Sequence, residues 1–205
     1  MNTIYWLGYI FFKSAGKAFF NLKVVNEEKL VKEGGVMMAA NHESFLDPPL
    51  IGITHPMNVT YLARKTLFRG LGKWIYTRWD AIPIDQNNPD MTGLKNIIKA
   101  LKNGRKVVMF PEGERTRTGD LNPPLPGVGL IIAKSKSVVQ PMRIFGAREA
   151  LPRGTGKLRM SQISIVVGDP IYFDEETLKK YRGKEGYQQI ADIVMQAISE
   201  IEDPR

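Results

Sequence analysis

The stretch Val36–Asp47, with the sequence VMMAANHESFLD, indicates the fold class and the place of a functional site. Its first five residues are all apolar and form the short, uninterrupted run that is typical of a buried strand. The run ends at Asn41 and His42, where polar residues begin. Ligands of layered α/β proteins gather at the carboxyl ends of parallel strands, so a site is expected at this junction.

Outward from this strand, apolar runs typical of strands alternate with patterns typical of helices. Further strands are predicted at 58–63, 82–84, 106–110, 138–145 and 163–167. Helices are predicted at 3–20, 48–53, 67–78, 91–101, 127–135 and 187–201. This alternation indicates an α/β fold with a largely parallel central sheet flanked by helices. We divide the chain into an N-terminal helical segment, residues 1–34, and an α/β domain, residues 35–205.

The N-terminal segment is rich in aromatic side chains and carries lysines close by. They are Tyr5, Trp6, Tyr9, Phe11, Phe12, Phe19 and Phe20, with Lys13, Lys17 and Lys23. An amphipathic helix of this composition suits a membrane surface, between headgroups and acyl chains. A helix that only covers the core is the other interpretation, and one helix can do both. The longest uncharged run, 1–12, is shorter than the roughly 20 residues of a spanning helix, so a peripheral or monotopic protein is expected.

Composition narrows the classes of function. The 205 residues suffice for one folded domain, and 29 Lys and Arg against 21 Asp and Glu give a net charge of +8. This excess suggests an anionic partner, which is nucleic acid, phospholipid headgroups or a phosphorylated substrate. The absence of Cys excludes disulfides, thiolate metal sites and a Cys nucleophile. Two histidines, His42 and His55, do not provide a multi-histidine metal site.

His42 and Asp47 form the first candidate constellation. A histidine at a strand end titrates near neutral pH and can act as a base, and a carboxylate on its other ring nitrogen would fix its tautomer. Pro48 disfavours helical geometry at Asp47, so we expect the segment to bend and the two side chains to meet. Taken singly, Asp47 also suits the N-cap of the following helix, and His42 suits a hydrogen-bonded core histidine. Their pairing at a strand end favours catalysis.

The second constellation is the loop 110–119, with the sequence FPEGERTRTG. Arg115 and Arg117 lie between two glycines and can bind a phosphate through charge-assisted hydrogen bonds. Backbone amides near Gly113 can add donors. A solvated basic turn without a ligand is the alternative.

Together, Asn-His-x-Ser-x-x-Asp at 41–47 and Phe-Pro-Glu-Gly-x-Arg-x-Arg at 110–117 resemble the motifs of the glycerolphosphate acyltransferase superfamily. The chain is most similar to its bacterial 1-acyl-sn-glycerol-3-phosphate (lysophosphatidate) acyltransferase branch. Two weaker blocks follow the order of the family: 63–68 with 82–85, and 139–144 with 151–154. The resemblance extends over roughly residues 36 to 170, most of the chain.

The resemblance implies transfer of a fatty acyl chain from acyl-CoA or acyl carrier protein to the free hydroxyl of 1-acyl-glycerol-3-phosphate. The product is phosphatidic acid, made for phospholipid biosynthesis at the cytoplasmic face of the cell membrane. His42 would be the base, Asp47 would orient it, and Ser44 would help to position the site. The residues implied in acceptor binding are Glu112, Gly113, Arg115 and Arg117, with Arg64 or Lys65 as an auxiliary phosphate contact. No metal or bound cofactor is expected beyond the acyl carrier.

Several alternatives remain beside this hypothesis. Glu114 stands where the family commonly has Thr or Ser, which places an acid beside the expected phosphate site and leaves open another lysolipid acceptor. A non-catalytic lipid-binding protein on the same fold is a second alternative. Nucleic acid is not expected as a partner, because no helix-turn-helix, zinc or aromatic RNA-binding signature appears. A hydrolase of the nucleophile-elbow type is disfavoured because Gly-x-Ser-x-Gly is absent.

Overall fold

A computed structural model describes residues 3–56, 59–84 and 91–205 of the chain. The helices are α1 Thr3–Phe20, α2 Asp47–Gly52, α3 Gly70–Arg78, α4 Met91–Lys102, α5 Pro126–Ser135, α6 Ala147–Ala150, α7 Glu175–Lys180 and α8 Gly183–Ser199. The strands are β1 Lys23–Val25, β2 Val36–Ala40, β3 Val59–Arg64, β4 Ala81–Ile84, β5 Lys106–Met109, β6 Val138–Phe145 and β7 Ser164–Val167. Short 3-10 turns span Glu27–Lys29 and Lys65–Leu67.

These strands form one sheet in the order β1-β7-β6-β2-β5-β3-β4. Neighbours from β6 through β4 are parallel, β1 is parallel to β7, and β7 is antiparallel to β6. Helices occur between the parallel strands because a parallel pair needs a long crossover connection. The prediction of an α/β fold with a largely parallel central sheet is confirmed.

Strand β2 lies at the centre of the sheet, and all five of its residues are buried. Successive side chains of a strand point to opposite faces of the sheet. Met38 and Ala40 pack in a core with α1 and α2, whereas Met37 and Ala39 pack in a second core with α4, α5 and α8. Helices on both faces explain why β2 is apolar throughout and does not alternate with polar residues.

The observed elements agree with the predicted ones, with four differences. Strand β1 and helices α6 and α7 were absent from the sequence interpretation, and the predicted helix 67–78 is a 3-10 turn followed by α3. Strand β1 lies within the segment 1–34 and pairs with β7, so the helical part of that segment ends at Phe20. Two residues of predicted elements or motifs, Asn58 and Asp85, lie outside the described residues.

One face of helix α1 packs against the core, and the other face is exposed. Its buried residues are Tyr5, Tyr9, Gly16 and Phe20. The hydroxyl of Tyr5 accepts a 2.8 Å hydrogen bond from the backbone N–H of Val59, which ties α1 to β3. The large apolar side chains exposed on α1 are Trp6, Leu7, Ile10, Phe11 and Phe19. In the part of the chain that the structure describes, no helix has both the length and the apolar character needed to cross a membrane.

Candidate active site

Three predicted site residues, together with Arg153, lie at the carboxyl ends of neighbouring parallel strands. Strands β6, β2, β5 and β3 lie side by side in that order. His42 follows β2, Arg115 follows β5, Arg64 ends β3, and Arg153 follows β6 and α6. Because parallel strands end at the same edge of a sheet, the loops that carry these residues meet there.

His42 and Asp47 are in direct contact. Nδ1 of His42 lies 2.8 Å from Oδ2 of Asp47. The same oxygen accepts hydrogen bonds from the backbone N–H groups of Glu43 and Ser44, at 2.6 and 2.7 Å. Because the carboxylate is an acceptor in all three bonds, Nδ1 of His42 carries a proton and donates it. Nε2 of a neutral His42 therefore keeps its lone pair and is the basic atom.

The segment between the two residues bends, but Pro48 does not keep Asp47 out of helical geometry, and that expectation is wrong. Helix α2 begins at Asp47. A proline in the first turn is compatible with a helix because the N–H that it lacks has no partner within the helix. The N-cap position belongs to Leu46, and the Asp47 carboxylate binds backbone N–H groups of the preceding turn instead of capping α2.

Phe110 fixes the plane of the His42 ring. The two rings are stacked, with centroids 4.0 Å apart and an interplanar angle of 14°. The side chain of His42 is 17% exposed, whereas that of Asp47 is fully buried. The imidazole is thus accessible on one side, while its carboxylate partner is shielded from water.

Glu112 holds the backbone of His42 in place. Its Oε1 accepts a hydrogen bond from the N–H of His42, and its Oε2 accepts one from the N–H of Asn122, both at 2.8 Å. The carbonyl of His42 accepts a further bond, at 2.8 Å, from the N–H of Thr116. Burial raises the pKa of Glu112, and the two backbone donors oppose this by stabilising the charged form. Both carboxylate oxygens of Glu112 are therefore engaged in joining the two motifs.

Three arginines line the same pocket as His42: Arg64, Arg115 and Arg153. The guanidinium of Arg115 lies 3.5 Å from the ring centroid of Phe45. Its Nη1 is buried and has no hydrogen-bond partner among the described residues. Burial lowers the pKa of Arg115, and the charges of Arg153 and Arg64 lower it further, but an arginine stays charged at neutral pH. A buried guanidinium nitrogen without a partner is suited to bind an anion.

Glu114 partly offsets this positive charge. Nη2 of Arg153 lies 3.6 Å from Oε2 of Glu114, and Nη1 of Arg153 donates a 2.6 Å hydrogen bond to the carbonyl of Arg115. The side chains of Arg153 and Glu114 are 36% and 60% exposed, so water screens their attraction. An incoming anion can therefore displace Glu114 from Arg153.

An apolar pocket of about 570 Å³ opens beside His42. The lining residues from α1, α2 and the end of α2 are Tyr5, Gly8, Tyr9, Phe12, Pro48, Pro49, Gly52 and Ile53. Those from the region between β3 and β4 are Tyr61, Leu62, Ala63, Thr66, Leu67, Tyr76, Trp79 and Ala81. The volume of the pocket is in the range of ligand-binding cavities, and His42, Arg64, Arg115 and Arg153 are among the residues that line it.

Comparison with known proteins agrees with this geometry. A family model described as Acyltransferase matches residues 21–145, which is more than half of the chain. The chain belongs to the acyltransferase family. This acyltransferase is 28% identical over 186 residues to the 1-acyl-sn-glycerol-3-phosphate acyltransferase of Bacillus subtilis (strain 168), a match that covers 89% of this chain and 88% of the relative. The Helicobacter pylori (strain J99 / ATCC 700824) protein of the same name is 29% identical over 182 residues, covering 80% and 75%.

A solved structure shares the fold of this acyltransferase. The 1-acyl-sn-glycerophosphate (LPA) acyltransferase PlsC from Thermotoga maritima superimposes with a TM-score of 0.77 at 22% sequence identity. The match covers 96% of this chain and 78% of the other. The family and the relatives together make the chain an O-acyltransferase.

The remaining predicted residues of this acyltransferase lie around the site without lining its pocket. Ser44 is buried and donates a 3.2 Å hydrogen bond from Oγ to the carbonyl of Leu151. Gly113 has a φ of +75°, and a side chain there would come within 2.4 Å of Leu125, so it shapes the loop. Arg117 and Lys65 are exposed. Their role in binding a substrate stays a prediction.

Three residues of the site were not among the predicted site residues of the acyltransferase: Phe45, Phe110 and Arg153. Phe45 and Phe110 lie inside the two main motifs, and Arg153 lies in the last weak block. Their position within these motifs is the sequence signal that could have identified them. The second histidine, His55, is buried, which lowers its pKa to about 4 and keeps it neutral at physiological pH. It does not line the pocket, and its Nδ1 lies 3.2 Å from the hydroxyl oxygen of Thr54.

Proposed function

We propose that the chain transfers a fatty acyl group from an acyl thioester to the free hydroxyl of 1-acyl-glycerol-3-phosphate and forms phosphatidic acid. The observation that carries this proposal is the 2.8 Å contact between His42 and Asp47, with His42 lining an apolar pocket that Arg115 also lines. The reaction needs a base, an apolar cavity for an acyl chain and a cation for a phosphate at one place. The names of the two bacterial relatives support this choice of acceptor.

The mechanism follows from the tautomer of His42. Nε2 takes the proton of the acceptor hydroxyl while its oxygen attacks the thioester carbonyl carbon. Asp47 stabilises the imidazolium that forms, because Nδ1 keeps its hydrogen bond to the carboxylate. The tetrahedral intermediate then collapses, the carbon–sulfur bond breaks, and the imidazolium returns the proton to the leaving thiolate. The products are the new ester and the free thiol, and no acyl-enzyme is needed because the thioester is already activated.

The substrates fit two parts of the site. The apolar pocket takes an acyl chain, and the cluster of Arg115, Arg64 and Arg153 takes the acceptor phosphate. Glu112 acts on the acceptor indirectly, since both of its oxygens hold backbone groups. We propose acyl-CoA or acyl carrier protein as the donor and no further cofactor.

A membrane surface at the cytoplasmic face is the proposed location. The acceptor and the product are lipids, so the pocket must reach a bilayer. Helix α1 lines the pocket with Tyr9 and Phe12 and turns Leu7 and Phe11 outward. An apolar, aromatic face flanked by lysines is suited to lie between headgroups and acyl chains.

The decisive experiment measures acyl transfer from oleoyl-CoA to lysophosphatidate in detergent micelles, with the product identified by mass spectrometry. His42→Gln removes the base and keeps the approximate shape of the side chain. We expect its kcat/KM to fall by about 10²- to 10⁴-fold, the usual contribution of general-base catalysis. His55→Gln removes the other imidazole, which does not line the pocket, and should retain activity if circular dichroism shows it folded.

Two results would contradict the proposal. Equal activity of folded His42→Gln and wild type would remove His42 from the mechanism. Absence of product from wild type with both oleoyl-CoA and oleoyl acyl carrier protein would remove lysophosphatidate as the acceptor.

Glu114 supports a second candidate, which is transfer to another lysophospholipid. Its carboxylate lies 3.6 Å from Arg153 and lowers the net positive charge of the phosphate-binding cluster. A headgroup that carries an amine as well as a phosphate could interact with both residues. Lysophosphatidylethanolamine is therefore assayed beside lysophosphatidate, and a higher kcat/KM for the amine-bearing acceptor would favour this candidate.

A further inference from the structure

We infer that the region from Arg64 to Arg78, called here the α3 segment, is a second membrane-contacting element that binds the surface of an anionic lipid bilayer beside α1. The inference rests on the proposed function for the purpose of the pocket, and it adds a second bilayer contact at the pocket that α1 also lines. It is carried by exposed apolar side chains, by their position and by charge.

Exposed apolar side chains are concentrated on two segments. Among the described residues, thirteen large apolar side chains are exposed, and eight of them lie on α1 or the α3 segment. Those of the α3 segment are Leu67, Leu71 and Trp74, and Leu71 is 73% exposed. Leu71 and Trp74 are three positions apart and therefore share one face of α3. A concentration of this kind on one part of a surface marks a contact with a protein or a membrane.

The two segments line the same pocket. Leu67 and Tyr76 of the α3 segment and Tyr9 and Phe12 of α1 are all among its lining residues. The rings of Phe12 and Trp79 meet edge to face, with centroids 5.9 Å apart, where the end of α3 approaches α1. A bilayer that touches α1 is therefore close to the α3 segment, and a lipid entering between them would contact both.

The charge of the two segments selects an anionic bilayer. Residues 59–79 contain five cations and no acid, and residues 3–26 contain three lysines and no acid. The first acid after α3, Asp80, is engaged with the side chains of Thr60 and Arg105, at 2.9 and 2.5 Å. The guanidinium carbon of Arg78 lies 4.2 Å from the ring centroid of Trp74. Leucine and tryptophan surrounded by Lys and Arg are the residues that proteins place at the headgroup level of membranes.

The absence of Cys allows this to be tested residue by residue. One environment-sensitive fluorophore is attached to each of three single-cysteine variants, all at exposed positions. Leu71→Cys places it on α3, Leu7→Cys places it on α1, and Tyr172→Cys places it outside both segments. On vesicles of equal parts phosphatidylglycerol and phosphatidylcholine, we expect a blue shift and a roughly twofold or larger rise in emission at Leu71 and Leu7, without change at Tyr172. Vesicles of phosphatidylcholine alone should give a weaker response because they lack the anionic headgroup.

A label response at Leu7 without one at Leu71 would overturn the inference and leave α1 as the membrane contact. The absence of a response at both positions would also overturn it. A response at Leu71 to purified acyl carrier protein without one to vesicles would replace the bilayer by an acidic protein. Vesicle binding is measured without catalytic turnover. Failure of acyl transfer in micelles would overturn the proposed function, but the vesicle-binding result could still be interpreted.

A second variant tests the affinity directly. Replacing both Leu71 and Trp74 by Asp puts two anions on the exposed face of α3, and we expect the partition onto the anionic vesicles to fall about tenfold or more in cosedimentation. Replacing both Leu158 and Tyr172 by Asp adds two anions at exposed positions outside both segments and serves as the matched control. An unchanged partition of the folded double variant of Leu71 and Trp74 would contradict a role of α3.

Discussion

At the scale of single residues, one carboxylate oxygen of Asp47 closes the turn and orients the ring of His42, the proposed base. Oδ2 accepts hydrogen bonds from the His42 ring and from the N–H groups of Glu43 and Ser44. The turn therefore sets the distance between His42 and Asp47, and the spacing of five residues in the sequence is a consequence of its geometry. Oδ2 of the fully buried Asp47 thus has three donors in place of water, whereas Oδ1 is buried and has no hydrogen-bond partner among the described residues.

The neighbour of His42, Glu43, gives this region a pH dependence. Burial raises its pKa from 4.5 to about 7, and the negative charges of Asp47 and Glu149 add to the effect, while Arg148 and Arg143 oppose it. A carboxyl whose pKa is higher in the folded state binds its proton more tightly there. Its contribution to stability is present below about pH 4.5 and is lost as the pH rises through about 7.

Glu43→Gln should therefore stabilise the protein at about pH 8 and change little at about pH 5. Gln keeps an oxygen for the 3.1 Å hydrogen bond that Asn41 Nδ2 donates to Oε1, and it never ionises. We expect the free energy of unfolding, measured in urea at both pH values, to rise by about 1–3 kcal/mol at the higher one. Glu28→Gln, at an exposed position, is the control for removing a surface acid. The same pH slope in wild type and Glu43→Gln would contradict the assignment.

At the scale of elements, apolar periodicity was sufficient for most of the fold but not for its short or polar members. Strand β1 has only three residues, of which Lys23 is exposed and two are half-buried. Helix α7 begins at a side-chain cap on Asp174, which accepts a 2.7 Å hydrogen bond from the N–H of Thr177. Neither carries an apolar run long enough to be recognised. The antiparallel direction of β7 also cannot be predicted from its own residues, because the direction of a strand depends on the path of the chain that connects it to its neighbour.

The contact of α5 with α8 is an element-scale property that two glycines of one helix can test. A side chain at Gly129 would come within 1.9 Å of the carbonyl oxygen of Tyr187, whereas a side chain at Gly127 would meet nothing within 4 Å. The backbones of the two helices thus approach closely at Gly129. The packing at Gly129 therefore leaves room for a hydrogen atom but not for a side chain. Helix propensity alone would favour alanine at both Gly127 and Gly129.

Gly129→Ala should lower the free energy of unfolding by about 1–3 kcal/mol, because an added methyl group forces the helices apart. Gly127→Ala should leave it unchanged or raise it by up to about 1 kcal/mol, because alanine loses less conformational freedom on folding. Both are measured by urea unfolding. Similar values for the two variants would show that the close approach of α5 and α8 does not constrain the helix pair.

At the scale of the whole molecule, the site depends on the order of the strands in the sheet. His42 and Asp47 lie in one short motif, so their meeting could be predicted from local sequence. Arg153 meets Arg115 because β6 and β5 flank β2 on its two sides, and this order is visible only in the folded sheet. The motifs could thus be predicted, but the full set of cations around the pocket could not.

This convergence predicts different effects for two arginines that make similar backbone contacts. Arg153 donates to the carbonyl of Arg115 at 2.6 Å and lines the pocket, whereas Arg148 donates to the carbonyl of Arg117 at 3.0 Å and does not line it. Arg153→Gln should raise the KM for lysophosphatidate about five- to tenfold with kcat nearly unchanged, because a phosphate-binding cation is lost. Arg148→Gln removes a comparable hydrogen bond and should leave KM within about twofold of the wild-type value.

Glu114→Gln should act in the opposite direction on the same cluster. It removes the carboxylate 3.6 Å from Arg153, so the acceptor phosphate no longer competes with it, and the KM for lysophosphatidate should fall about two- to threefold. Raising the salt concentration should shrink this difference, because the pair is exposed and screened. The KM values of Arg153→Gln, Arg148→Gln and Glu114→Gln for lysophosphatidate are measured by steady-state kinetics in micelles. An unchanged KM in Arg153→Gln, or a rise in Glu114→Gln, would show that the acceptor phosphate binds elsewhere than among the three arginines.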